Sequence, residues 1–270
     1  MLKHRLIPCL ILRDDRIVQS IQFKRYLPIG KAEIAIEFFV NWDVDEIILL
    51  DINATTQNRK PNLELISFFA KECHVPFTVG GGINSLDDIR NIIKAGADKI
   101  ALNAQAIATP EIITKGSERF GSQCITISID AKKKTDGTYE VMTHSGKTPT
   151  GKSPMDWAQE VEKLGAGEIL LNSIDRDGTK MGYDLDLIRS VTDVVRIPVI
   201  ACGGVGKMEH FVEGITKGSA QAVAAANIFQ HTEHSTIIAK AYLKKSGIDI
   251  RLSSDVKYEG FHIDETGRIV

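Results

Sequence analysis

One segment recurs in this chain at a fixed distance. Gly80-Gly-Gly-Ile83 follows the apolar run Pro76-Phe-Thr-Val79, and Gly203-Gly-Val205 follows Pro198-Val-Ile-Ala-Cys202. A constant offset of 122 residues relates Pro76 to Pro198, Gly81 to Gly203 and Gly96 to Gly218. The same offset pairs Glu46-Ile-Ile-Leu-Leu-Asp-Ile52 with Glu168-Ile-Leu-Leu-Asn-Ser-Ile174, and four of those seven positions are identical. So long a period is not a solenoid unit. The chain reads as one half-domain and its divergent copy, with no Pro/Gly/Ser-rich linker between them.

The length of 270 residues suits one large domain. Charged residues make up 25% and the formal net charge is −2, so general attraction to nucleic acid or membrane is not expected. The N-terminus lacks the apolar core of a signal peptide, and no apolar run is long enough to span a bilayer. Cys9, Cys73, Cys124 and Cys202 form no CxxC pair, which predicts reduced, buried thiols in a cytoplasmic protein rather than a zinc site or disulfides; no metal and no cofactor are expected.

Strand-length apolar runs alternate with helical patterns eight times. The strands are expected at Leu6–Ile11, Glu46–Ile52, Phe77–Val79, Lys99–Asn103, Cys124–Asp130, Glu168–Ser173, Val199–Cys202 and Ala222–Ala226. The helices are expected near 30–43, 62–74, 86–95, 109–119, 154–165, 184–192, 207–217 and 236–246. Near-continuous apolar strands suit a parallel sheet covered by helices. Eight such units predict an α/β fold, a single (β/α)8 TIM barrel built from two half-barrels, over residues 1–255. An open doubly wound sheet is the other solution and explains the duplication less well. Residues 256–270 continue neither pattern and are expected to form a peripheral tail.

Barrel chemistry sits where strands run out into the following loops. That rule selects Ile11, Asp51, Gly81, Gly82, Asn103, Asp130, Ser173, Asp175, Asp177, Gly203, Gly204, Ala226 and Asn227. The paired glycine segments can let backbone approach a phosphate at a helix start, or can merely make tight turns. Two copies related by a repeat point to two phosphate sites facing each other. Asp130 closes the apolar run Ile125-Thr-Ile-Ser-Ile, where a carboxylate is costly unless used or paired. General acid/base work and a salt bridge to Lys132 or Lys133 are the competing explanations. Asp51 ends its strand likewise, with local capping the stronger competitor. Asp177-Gly178 is either a plain turn or part of the site. Strand one pairs with strand five at an offset of 119, which puts Ile11 where the other half carries Asp130. At the strand starts, Arg5, Glu46, Lys99 and Glu168 can form a ring of salt bridges closing the barrel bottom.

The segments Ile7-Pro-Cys-Leu10, Leu50-Asp-Ile52, Thr78-Val-Gly-Gly-Gly-Ile83, Ala95-Gly-Ala-Asp-Lys99, Phe120-Gly-Ser-Gln123, Ile129-Asp-Ala-Lys132, Gly165-Ala-Gly-Glu-Ile-Leu-Leu171 and Ser173-Ile-Asp-Arg-Asp-Gly-Thr179 together are highly specific. In them the chain resembles the cyclase subunit of imidazole glycerol phosphate synthase over nearly all of residues 1–255. The resemblance implies a (β/α)8 barrel that binds a small ligand with two phosphates, a ribulosyl aminoimidazole carboxamide nucleotide. It also implies a glutaminase partner docked on the N-terminal face, with ammonia passing up the barrel axis. Arg5, Glu46, Lys99 and Glu168 then become the ammonia gate. Asp130 becomes the catalytic group, and Asp51, Gly82, Asn103, Asp177, Gly178, Gly203, Gly204, Ala226 and Asn227 become substrate- or phosphate-binding positions.

The match is poorer at the top. Ile11 replaces the first of the family's two aspartates, Gln19 a loop lysine, Ala104 and Asn172 threonines, and Asn227 a serine. Loss of a general acid/base group costs about 100- to 10,000-fold. The pattern resembles a paralogous branch from surface-polysaccharide gene clusters. There the barrel and its glutaminase accompany a sugar amidotransferase that makes acetamidino groups. The authentic histidine-pathway cyclase, the related barrel isomerase, and a non-catalytic conduit that activates the glutaminase are the alternatives.

Overall fold

The computed structural model describes residues 3–35, 43–230 and 235–260. Among these, the strands are β1 (Arg5–Arg13), β2 (Arg16–Ile21), β3 (Arg25–Lys31), β4 (Ile47–Asp51), β5 (Phe77–Gly80), β6 (Lys99–Leu102), β7 (Ile125–Lys133), β8 (Tyr139–Thr143), β9 (Thr148–Pro149), β10 (Glu168–Ser173), β11 (Val199–Cys202) and β12 (Ala222–Ala225). Eight of them are parallel neighbours in the order β10-β11-β12-β1-β4-β5-β6-β7, and β7 pairs back to β10. The sheet therefore closes into a (β/α)8 barrel, as the repeat predicts, and not into an open sheet.

Period-two alternation sorts the side chains of each strand between two interiors. Ile7, Cys9, Ile48, Leu170, Ile200, Ala222 and Ala224 pack together inside the barrel. Leu6, Leu10, Ile47, Leu49 and Ile169 face outward into a second, larger core under the helices. Trp157, Phe69, Phe77, Phe211 and Phe229 are its largest wholly buried members. Four of the helices start at side-chain caps: Asn62, Ser85, Ser153 and Asp184 each accept the amide of the residue three positions on, at 3.1–3.4 Å. The helices at Leu63–Glu72, Leu86–Lys94, Glu111–Phe120, Pro154–Lys163, Leu185–Thr192, Glu209–Thr216 and Ser235–Lys245 lie where helical patterns were expected. Among the described residues no helix is long and apolar enough to cross a membrane.

Three expectations are corrected. The helix placed near 30–43 loses its first residues to β3, begins at Ala32, and from residue 36 to 42 lies outside the described residues. The stretches after β1 and β7 are hairpins, β2–β3 and β8–β9, and not plain loops. Asp14 and Asp15 turn β1 into β2 with φ of 50° and 59°, the pair of positive values a two-residue hairpin turn needs. Finally, of the four cysteines only Cys9 and Cys202 are buried; Cys73 and Cys124 are half-buried. The first strand of each half-barrel thus carries a hairpin, a correspondence that falls between the apolar runs and escapes a search for them.

Candidate active site

The hairpins and the βα loops surround a cavity of about 130 Å³ at the C-terminal mouth of the barrel. Asp51, Gly82, Asn103, Asp130, Asp177, Gly178, Gly203, Gly204, Ala226 and Asn227 all line it, as does Ile11. Strand register gives Ile11 its meaning. In the first half Ile11 pairs with Leu50 on β4; in the second Asp130 pairs with Asn172 on β10. Leu50 and Asn172 are themselves related by the repeat offset, so Ile11 and Asp130 occupy equivalent places in the two half-barrels.

Asp130 makes no ion pair among the described residues, which removes a salt bridge to Lys132 or Lys133 as its explanation. Its Oδ2 accepts from Asn103 Nδ2 at 3.3 Å, and Asn103 also donates to the carbonyls of Ser128 and Met142 at 3.0 and 3.3 Å. Burial pushes the Asp130 carboxyl up to about 7; the Asp177 carboxylate adds to the rise and the Asn172 amide opposes it. A carboxyl poised there exchanges protons readily at neutral pH.

Asp177 has a more structural set of partners. Its Oδ2 accepts from Ser20 Oγ at 2.6 Å and from the Phe23 amide at 3.3 Å, while the Gln22 amide donates to its carbonyl at 3.0 Å. It therefore ties the β2–β3 hairpin to the loop after β10. Burial raises its pKa, against these hydrogen bonds. Asp51 is engaged locally: its carboxylate accepts the Asn53 and Ala54 amides at 3.2 and 3.1 Å and pairs with Arg59 at 2.9 Å. That is the capping arrangement anticipated as its competitor.

The glycine segments face each other across the mouth. Gly81 has φ of 106° and a Cβ there would lie 2.1 Å from the Asp51 carbonyl oxygen; Gly204 has φ of 105° and its Cβ would lie 2.2 Å from that of Gly182. No other residue fits either turn. The Gly82 amide is 3.2 Å from Thr55 Oγ1. Asn227 donates Nδ2 to the Ser20 carbonyl at 2.9 Å; among the described residues its buried Oδ1 has no partner, and neither has the buried Asn172 Oδ1. Gln19 is buried on β2 outside the cavity lining. Ser20, Phe23, Tyr26, His144 and Ser145 also line the cavity and went unread in the sequence, because the hairpins that bring them did. Cys9 and Cys202 are at the cavity too. A hydrogen bond with Cys202, and burial, hold the Cys9 thiol protonated.

At the opposite end the four charged strand-start residues close on one another. Arg5 pairs with Glu46 at 2.7 Å and with Glu168, and Lys99 pairs with the same two carboxylates at 2.9 and 3.0 Å. Thr78 Oγ1 donates to Glu46 at 2.8 Å. Burial works against the Arg5 charge, but Glu168 and Glu46 outweigh it and raise its pKa. Thr126 pairs in register with Glu168, and among the described residues its buried Oγ1 has no hydrogen-bond partner.

The histidine biosynthesis protein family matches residues 5–235. A curated relative from Vibrio vulnificus (strain YJ016) is 53% identical over 268 residues, which is 99% of this chain and 98% of the relative. Its name is "Putative imidazole glycerol phosphate synthase subunit hisF2".

Proposed function

From the premise that the chain belongs to the histidine biosynthesis protein family, in the line of the imidazole glycerol phosphate synthase cyclase subunit, we propose that it is the acceptor-side barrel of a two-chain glutamine amidotransferase. A glutaminase docks on the N-terminal face, over the ring of Arg5, Glu46, Lys99 and Glu168, and its binding loosens that ring. Ammonia then climbs the axis past Ile7, Cys9, Ile48, Leu170 and Ala224. An apolar bore passes neutral ammonia and penalises ammonium. The free Thr126 hydroxyl beside the ring offers ammonia a hydrogen bond at entry. At the mouth Asp130 is the catalytic acid/base group. The glycine segments, with Asn103, Gly178, Ala226 and Asn227, hold a phosphorylated acceptor, and Asp177 and Asp51 keep the loops around it in place.

The observation that carries the reading is the contrast between the ends: a complete ring at the bottom and, at the top, Ile11 in the register position of Asp130. Ile11 transfers no proton. We therefore assign the chain to an ammonia-consuming step other than the family's ring closure, namely acetamidino-group formation on a sugar for surface polysaccharide. It works in the cytoplasm with the glutaminase and a sugar amidotransferase. The relative's name, hisF2, fits a second copy of the subunit.

Glutamine-dependent product formation with the cognate glutaminase and sugar amidotransferase tests this. Asp130→Asn is expected to keep glutaminase stimulation and lose about 100-fold or more in product. Wild-type product from that variant would sink the acid/base role and leave a conduit.

A further inference from the structure

The mouth cavity of about 130 Å³ is small beside the roughly 300–1,000 Å³ of most small-molecule sites. It adjoins a second basin of about 410 Å³, and Phe23, Tyr26 and Ser145 line both. Four cations stand around this basin: Arg13 at the end of β1, Lys24 in the β2–β3 turn, Lys132 on β7 and Lys147 in the β8–β9 turn. They fall into two pairs. Arg13 and Lys132 each lie two residues beyond the equivalent positions Ile11 and Asp130, and Lys24 and Lys147 sit in the corresponding hairpin turns of the two halves.

These charges are largely unspent. Among the described residues Lys24, Lys132 and Lys147 make no ion pair, and Arg13 has only exposed Asp14, at 3.7 Å. The Arg13 guanidinium lies 4.8 Å from the centre of the Tyr26 ring, which orients it. Among the described residues the basin's one carboxylate, Asp175, already accepts the Lys133 amide at 2.6 Å. The inner cavity is the reverse: of the described residues Asp51, Asp130 and Asp177 line it and no lysine or arginine does. A strongly anionic group finds its complement in the outer basin.

We propose that the basin between the two hairpins is an anion site that takes a phosphate or pyrophosphate group of a ligand whose reacting part enters the mouth cavity. Lysine ammonium groups act as point charges on phosphate, and the oriented guanidinium adds a fork of donors. The proposal rests on the barrel mouth being a ligand site, as above, and not on ammonia transfer or on any partner.

Calorimetric titration of the full chain with inorganic pyrophosphate, at about 0.15 M salt so that distant charges are screened, tests it. Three proteins are compared: wild type, the Lys132→Gln/Lys147→Gln variant, and a Lys94→Gln/Lys163→Gln variant with the same charge change on the outer helices. The expected result is binding that weakens at least tenfold in the hairpin variant and stays within twofold in the control. No binding by the wild type at millimolar pyrophosphate would overturn the proposal. So would an unchanged affinity in the hairpin variant, which would put the anion in the glycine segments alone. The assay contains no glutaminase and no turnover, so its outcome is separate from that of the amidotransferase assay.

Discussion

Asp130 bears a cost for the position it holds. An aspartate in the unfolded chain titrates near 3.9, and in the barrel Asp130 titrates at about 7. Between those values the folded chain holds the extra proton. Its contribution to stability is therefore full below about pH 4 and is lost as pH rises through about 7. Asp130→Asn has no such loss. Its stability should match that of the wild type near pH 4 and exceed it increasingly as pH rises, by up to about 4 kcal/mol at pH 8, read by urea denaturation at both pH values; a gap that does not vary with pH would contradict this. Asp130 was legible as a candidate because it ends an apolar strand. Its partners were not: Asn103 and Asn172 reach it only because β6, β7 and β10 are neighbours. Asp51 shows the limit of the same signal, for a strand-end carboxylate serves equally well as a cap, and Arg59 and two amides show that it does.

Among the elements, those made of long apolar runs were readable and those made of short mixed ones were not. β10 and β11 fall on the expected residues, since strands covered on both faces carry a continuous apolar centre, here Ile169-Leu-Leu171 and Val199-Ile-Ala201. The hairpin strands are short and mix polar with apolar residues in no clear period, and β3 is largely exposed, so their cue was only the turn at Asp14 and Asp15. The last helix conceals another feature. Lys240 in Ser235–Lys245 is wholly buried and pairs with Asp45 at 2.8 Å and Asp43 at 3.2 Å. Asp45 also accepts the Leu6 amide at 2.8 Å, which joins the end of the barrel to its beginning. Burial raises the Asp45 pKa and Lys240 opposes that. Lys240→Met leaves these carboxylates uncompensated and should cost about 3–5 kcal/mol, measured by urea denaturation, with partial recovery when Asp45→Asn is added. A cost below about 1 kcal/mol would show that the contact does not hold the ends together.

For the whole molecule, duplication is the organising fact. The repeat offset was visible in the sequence, and the closed sheet realises it down to the register of Ile11 against Asp130 and to a hairpin on the first strand of each half. The two ends have diverged unequally. The bottom ring is intact, while the first half of the top lacks a titratable group at the place where the second half has one. Closure of the ring was foreseeable from charges at strand starts, because barrel geometry gathers them; the basic basin was not, because Lys24 and Lys147 come from unread turns. Ile11 decides which reaction the barrel serves. The most direct test is ammonia-dependent turnover of the ribulosyl aminoimidazole carboxamide nucleotide, at high ammonium, by the purified chain and by Ile11→Asp. Little turnover by the wild type, rising about 100-fold or more in Ile11→Asp, is the predicted result. Robust wild-type turnover that Ile11→Asp leaves unchanged would contradict it and return the chain to histidine synthesis.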